Sequence, residues 1–221
     1  MAVYTSGHWQ KLVESGRLRK YSKKQVIQTS SDGQAAKFVK SGYVKRYLIT
    51  NTGAISTQVL YGPGDFFPLT LVYKAVLNQK LYRGPEIYYY ETMCEAQIYD
   101  LQISRLIDEV QRRPVLYRDL MYEAGRRLNS NIQKLENRSL PNFYRRLAHQ
   151  LLYYARKFGE PKGQKVIILA PLTQQDLADI LDSTRETVSA SMAKLAKKGL
   201  IEVKRQIVVT DILKLEQEAY G

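Results

Sequence analysis

The 221-residue chain predicts an α+β fold in three parts. An antiparallel β-rich region comes first, then one long helix, then a pair of short helices closed by a β-hairpin. Three observations carry this. Residues 35–100 hold β-branched and aromatic stretches between Gly-rich turns. From Ile103 the apolar period changes to three and four. The stretch "LTQQDLADILDSTRETVSASMAKLAKKGLIEV", Leu172 to Val203, reads as two amphipathic helices joined by a tight polar turn.

In order, "KFVKSGYVKRYLIT" reads as a strand with "NTG" as its turn, and "AISTQVLY" as a second strand ended by "GPGD". "EIYYYETMCEAQIYDL" supplies one or two more. Short strands with such turns suggest an antiparallel barrel or roll. "ISRLIDEVQRR" is a short helix. Pro114 then opens a longer one, since proline is tolerated at the first helical position. That helix places Leu116, Leu120, Ala124, Leu128, Ile132 and Leu135 on one stripe, broadened by Met121 and Asn131. Such a stripe can face its own domain along one part and a partner helix along another. Pro141 ends it. The expected division is 1–113, 114–140 and 141–221. "FYRRLAHQLLYYARKFG" is another helix, "EPKGQ" a loop, "KVIIL" a strand, and "LIEVKRQIVVTD" a hairpin.

Formal net charge is +13, which invites a polyanionic partner. The excess is spread: residues 1–140 carry 21 basic and 12 acidic residues (+9), residues 141–221 carry 13 and 9 (+4). Charge alone does not choose the partner. No apolar run reaches the roughly 18 residues of a membrane span, and the start has no signal-like stretch, so no membrane partner and a cytoplasmic location are expected. The single Cys94 makes no internal disulfide, zinc site or iron–sulfur cluster. His8 and His149 lack the partner spacing of a metal or haem site. No nucleophile–base arrangement and no metal-ligand cluster is present, so neither an enzyme nor a resident cofactor is expected.

In the segment Leu172–Val203, Leu177, Ile180 and Leu181 form one apolar face and Val188, Met192 and Leu195 another. The two can bury each other only if the helices cross. Thr173 with Asp176 three residues on suits an N-cap, and either Ser183 or Thr184 can cap the second helix. Ala178 is small where the helices approach. This is helix-turn-helix grammar, in which the second helix enters the major groove. There Arg185 can donate twice to guanine, Glu186 can accept from cytosine, and Ser189 can serve either role or meet a thymine methyl. Glu186 can alternatively close a capping box on Ser183. Gln174, Gln175 and Lys194 suit phosphates, as do Lys204 and Arg205 at the hairpin tip. The candidate DNA-binding set is therefore Thr173, Gln174, Gln175, Ser183, Thr184, Arg185, Glu186, Ser189, Lys194, Lys204 and Arg205, with double-stranded DNA as the partner.

This segment, with "KRQIVVTD" after it, resembles the winged helix-turn-helix of the CRP/FNR family of bacterial regulators, most specifically at "TRETVS". "RRPVLYRDLMYEAGRRL" is similar to the start of the family's dimerisation helix, and "VKSGYVKRYLITNTGAISTQVLYGPGDFF" to its β-roll, a cyclic-nucleotide-binding-like sensor domain. The resemblance implies a homodimer, with a seam drawn from Leu116, Leu120, Met121, Ala124, Leu128, Asn131, Ile132 and Leu135. Two recognition helices then meet a partly palindromic site about one DNA turn apart, ~34 Å. An effector in the roll would bias them through the hinge near Ser139–Asn142. The loop Glu160–Lys165 lies where some relatives touch RNA polymerase.

The departures are informative. Nucleotide-binding members carry Phe-Gly-Glu and then an Arg-Ser or Arg-Ala pair. Here "GDFF" is followed by Pro68 and Leu69, and the pair falls on Gly84 and Pro85 with Arg83 displaced beside it. A Thr-Ser pair that reads adenine becomes Asn131-Ile132. An effector other than cyclic AMP is expected, of unknown identity, with Phe66, Phe67, Arg83, Tyr89, Asn131 and Ile132 as candidate contacts. Where the family often has a groove arginine, Ala190 stands. Two alternatives remain: an effector-independent regulator controlled by abundance, and a ligand-binding regulatory subunit without DNA readout.

Overall fold

The computed structural model of the chain describes residues 7–29, 35–77 and 88–221. Its contacts group into two units, Met1–Gly53 with Gln58–Arg127, and Ala54–Thr57 with Leu128–Gly221.

The first unit opens with α1 (Gln10–Glu14) and continues through β1 (Arg17–Tyr21), β2 (Ala35–Ser41), β3 (Val44–Ile49), β4 (Ile55–Tyr61) and β5 (Phe66–Phe67). It then runs through α2 (Leu69–Leu77), β6 (Tyr89–Thr92), β7 (Ala96–Gln102), α3 (Ile103–Arg112) and the beginning of α4 (Pro114–Ser139). Two antiparallel sheets form, ordered β1-β7-β2-β5 and β4-β3-β6. The stretch "KFVKSGYVKRYLIT" is two strands, not one. Gly42 breaks it at φ +84°, and a Cβ there would stand 2.5 Å from the Glu95 carbonyl oxygen. Only glycine meets both demands.

Strand alternation sorts side chains to two cores. Between the sheets lie Ile27, Val39, Val44, Tyr61, Phe67, Tyr90, Ala96 and Ile98. On the outer face Ala36, Phe66 and Leu101 are covered by Trp9, Leu12 and Val13 of the N-terminal segment and by Leu106, Val110, Leu116 and Leu120 of α3 and α4. Trp9 Nε1 donates to Asp119 on α4 at 3.0 Å. This corrects the expected seam: Leu116 and Leu120 are fully buried in the core of their own unit, and no partner helix can reach them. Further along α4, Met121, Leu128, Asn131, Ile132 and Leu135 are exposed and Ala124 is half-buried.

The second unit adds α5 (Phe143–Phe158), β8 (Gly159–Lys162), β9 (Lys165–Ile168), α6 (Gln174–Leu181), α7 (Arg185–Lys197), β10 (Ile201–Val203), β11 (Ile207–Val209) and α8 (Ile212–Tyr220). Its sheet is ordered β10-β11-β9-β8. Asn142 caps α5 by accepting from the Arg145 amide, and Leu147, Leu151 and Leu152 bury its inner face. One sequence expectation fails here, and one element goes beyond the sequence reading. "EPKGQ" is not a plain loop: its first half is strand β8, paired with β9 around Gly163. Pro161 is tolerated because β8 is the sheet edge. The closing segment is a further helix, α8, capped by Asp211 and packed on α5 through Leu215 and Ala219.

Candidate nucleic-acid interface

Thr173 caps α6 in a reciprocal capping box. Its hydroxyl accepts from the Asp176 amide at 3.1 Å, and its own amide donates to Asp176 at 3.0 Å. Leu177, Ala178 and Leu181 are buried, and Ile180 is half-buried. The helix stops at Asp182, which adopts a left-handed φ of +49°. The Ser183 amide then donates to the Ala178 carbonyl, and Arg146 Nη2 donates to the Leu181 carbonyl at 2.7 Å. These bonds satisfy carbonyls that a helix end leaves open.

Thr184, not Ser183, caps α7, accepting from the Thr187 amide at 3.2 Å. With that cap the third helical position is Thr187, so Glu186 closes no capping box on Ser183. Val188, Ser191, Met192 and Leu195 are buried. Arg185, Glu186, Ser189 and Ala190 are all exposed. The opening of α7 therefore presents a guanidinium, a carboxylate and a hydroxyl on one rigid element. That is the mixed hydrogen-bonding set base edges demand.

Around this face, Gln175 is exposed and donates to Asp179 at 2.7 Å, Gln174 is half-buried, and Lys194 is exposed. Lys204 and Arg205 stand exposed at the β10–β11 turn. Sequence reasoning missed their neighbours. Glu202 on β10 pairs with Lys204 at 2.7 Å and also with Lys165 at the start of β9. Hydrogen bonds from Lys165 and then Lys204 hold its carboxyl down to about 2. The alternation "IEVK" shows that Glu202 and Lys204 share a face, but Lys165 arrives only through sheet pairing.

Of the effector candidates, Phe66, Phe67 and Tyr89 do not face one common space. Phe66 packs outward, 5.3 Å from Trp9 and 4.9 Å from Phe38, because adjacent strand residues point to opposite faces. Phe67 turns inward, 5.2 Å from both Tyr61 and Tyr90. Tyr89 alternates away from Tyr90 and stacks on Tyr47 at 5.4 Å. Asn131 and Ile132 are exposed on α4 and belong to the second unit. Arg83 lies outside the described residues.

Two cations that the sequence did not single out border the inner rings. The Arg127 guanidinium lies 4.9 Å over Tyr61, and Arg46 lies 4.4 Å over Tyr88. Glu123, itself buried, accepts from Arg127 Nε at 3.0 Å and from Arg126, which also reaches Asp65 at 2.9 Å. Burial opposes the charge on Arg127, but Tyr61, Asp65 and Glu123 more than offset it, so its pKa rises. Among the described residues no group of His, Cys, Asp and Glu could hold a metal ion, and no helix is long and apolar enough to cross a membrane.

Residues 145–218 match the Crp-like helix-turn-helix domain. The chain is 25% identical to the CRP-like cAMP-activated global transcriptional regulator of Mycobacterium tuberculosis over 198 residues, 88% of this chain and 84% of that protein. It is 42% identical to the transcriptional activator protein FnrL of Cereibacter sphaeroides over 67 residues, 29% of this chain and 27% of that protein. FixK2 from Bradyrhizobium japonicum shares the fold with a TM-score of 0.72 at 21% identity, covering 93% of this chain and 98% of its own. A CooA variant from Carboxydothermus hydrogenoformans does so with a TM-score of 0.73 at 21% identity, covering 99% and 94%. Residues 145–218 thus carry a Crp-like helix-turn-helix domain, and over most of its length the chain is similar to transcription regulators of the CRP/FNR kind and shares their fold.

Proposed function

We propose that the protein is a homodimeric, sequence-specific reader of a partly palindromic DNA site, with α7 entering the major groove from Thr184 onward. The observation that carries this reading is the polarity of α7: Val188, Met192 and Leu195 are buried, while Arg185, Glu186 and Ser189 stand free on its opening turns. Arg185 takes guanine, Glu186 takes cytosine, and Ser189 adapts to its neighbour. Thr173, Gln174, Gln175, Ser183, Thr184, Lys194, Lys204 and Arg205 hold the backbone and set register.

The chain divides in this reading at 113 and 140, with α4 as the dimer element. Its exposed leucines support that role, since Leu128 and Leu135 are each 63% exposed and Ile132 is 45%. A cytoplasmic location and contact with RNA polymerase through the Glu160–Lys165 hairpin complete the proposal.

Cyclic AMP is not the effector. The Tyr61, Phe67 and Tyr90 rings pack against one another in the core between the sheets, and the bordering Arg127 is already engaged by Glu123. The same packing favours a second reading, in which no effector is needed and abundance sets the output.

Selection of random duplex DNA by the purified protein, at two salt concentrations and without ligand, tests both. A two-fold symmetric site that survives the higher salt supports the dimeric reader and the effector-free reading. Sequence-independent binding that collapses with salt argues against effector-free reading. If added metabolites do not restore a site, the DNA reading falls too.

A further inference from the structure

A cavity of about 760 Å³ opens beside the recognition helix, between Asn142, Phe143 and Tyr144 at the start of α5 and Ser191, Lys194, Lys197 and Lys198 on the second half of α7. Its size falls within the roughly 300–1,000 Å³ of small-molecule sites. Two aromatic residues line its α5 side, and every ionisable side chain on the α7 side is a lysine.

The lysines are not equivalent. Lys198 is held by Glu218 at 2.6 Å and lies 5.5 Å over the Tyr144 ring. Among the described residues Lys194 and Lys197 have no carboxylate partner, and both are exposed. Cations near a helix C-terminus are favoured by the macrodipole, which accounts for their charge. It does not account for a cavity with two rings opposite them. Arg146 stands 5.8 Å over the Phe143 ring and adds a further positive charge beside it. Burial and Glu218 push the Tyr144 phenol up, so it stays a neutral ring.

We propose that this cavity binds a small aromatic anion. A planar ring lies against Phe143 and Tyr144, and its phosphate or carboxylate meets Lys194 and Lys197. A ring alone lacks the charge partner, and a bare anion leaves the apolar wall unused, so both features are needed. Because Lys194 is also a backbone contact in the DNA reading proposed above, occupancy competes with DNA; this second step rests on that reading.

The test uses the full-length protein and 1-naphthyl phosphate, with 1-naphthol and inorganic phosphate as controls, titrated by fluorescence and calorimetry without DNA. The expected result is saturation at one molecule per chain. Affinity falls about tenfold in Lys197→Gln, as loss of a charge-assisted contact implies, and the two controls bind at least about tenfold more weakly. Phe143→Ser, checked for an unchanged melting temperature, weakens the naphthyl compound but not inorganic phosphate. Absence of saturation, equal binding to Lys197→Gln, or phosphate binding as tightly as its aryl ester overturns the proposal. So does a Lys197→Gln protein whose DNA salt slope drops by about 1 while naphthyl phosphate fails to saturate, because the cavity then seats a backbone phosphate. Saturable binding that leaves DNA untouched keeps the site and removes only the competition.

Discussion

Arg185 is exposed on the first turn of α7 and contributes nothing to the core. Arg185→Ala should therefore leave the melting temperature unchanged and relax preference at one base position, at a cost of about 1–3 kcal/mol. Competition binding against a site library with that position randomised checks both halves. His149 behaves oppositely, being buried between elements. Its Nδ1 accepts from Asn137 at 3.0 Å and its ring meets Tyr220 edge-on at 5.4 Å. Burial lowers its pKa from 6.5, with Glu136 opposing and Arg156 assisting. The folded state holds the neutral ring, so its contribution is complete above about 6.5 and is lost as pH falls through the depressed value. Calorimetric melting between pH 8 and 5 should show a decline on the acid side. His149→Gln, which can still accept a hydrogen bond, should flatten that decline.

Among the elements, α4 has two characters along one apolar stripe. Leu116→Ala should destabilise the first unit by about 2–5 kcal/mol, because it empties a fully buried site. Leu128→Glu with Ile132→Glu should leave the protomer folded and halve the mass seen by light scattering. A folded dimer surviving that pair would remove α4 as the seam. The sequence could not divide the stripe, since leucine serves a core and a seam alike. Only the outer cluster around Trp9 shows which end is taken. The helix-turn-helix was legible because its determinants are local. Thr173 with Asp176, and Thr184 with Thr187, lie three residues apart, and the buried positions follow helical spacing. Strand β8 was hidden because an edge strand can carry Gly159 and Pro161, residues that read as loop. The opposite facing of Phe66 and Phe67 was hidden for a similar reason: a two-residue strand gives no alternation from which to tell one from the other.

At the scale of the molecule, the dimer proposed along α4 would tie stability to protein concentration. The melting temperature should rise as the protein is concentrated, and the Leu128→Glu, Ile132→Glu protein should lose that dependence. Scanning calorimetry across a hundredfold concentration range decides it.

The carboxylate of Glu202, gripped by Lys165 and Lys204, has a kinetic meaning. Two lysines near the wing would otherwise hold any phosphate, and a genome offers on the order of 10⁶–10⁹ wrong places to stop. In the proposed reading, this internal anion competes with phosphate for both lysines, so Lys204 grips the backbone at the preferred site while the hairpin's hold on random sequence is weakened. A searching protein then pauses briefly on random sequence and moves on. Glu202→Gln should lengthen its dwell on random duplexes and steepen the salt dependence of that dwell, which tracking of single molecules on stretched DNA can record. A variant that grips everything more firmly would be slower to find the one address that matters.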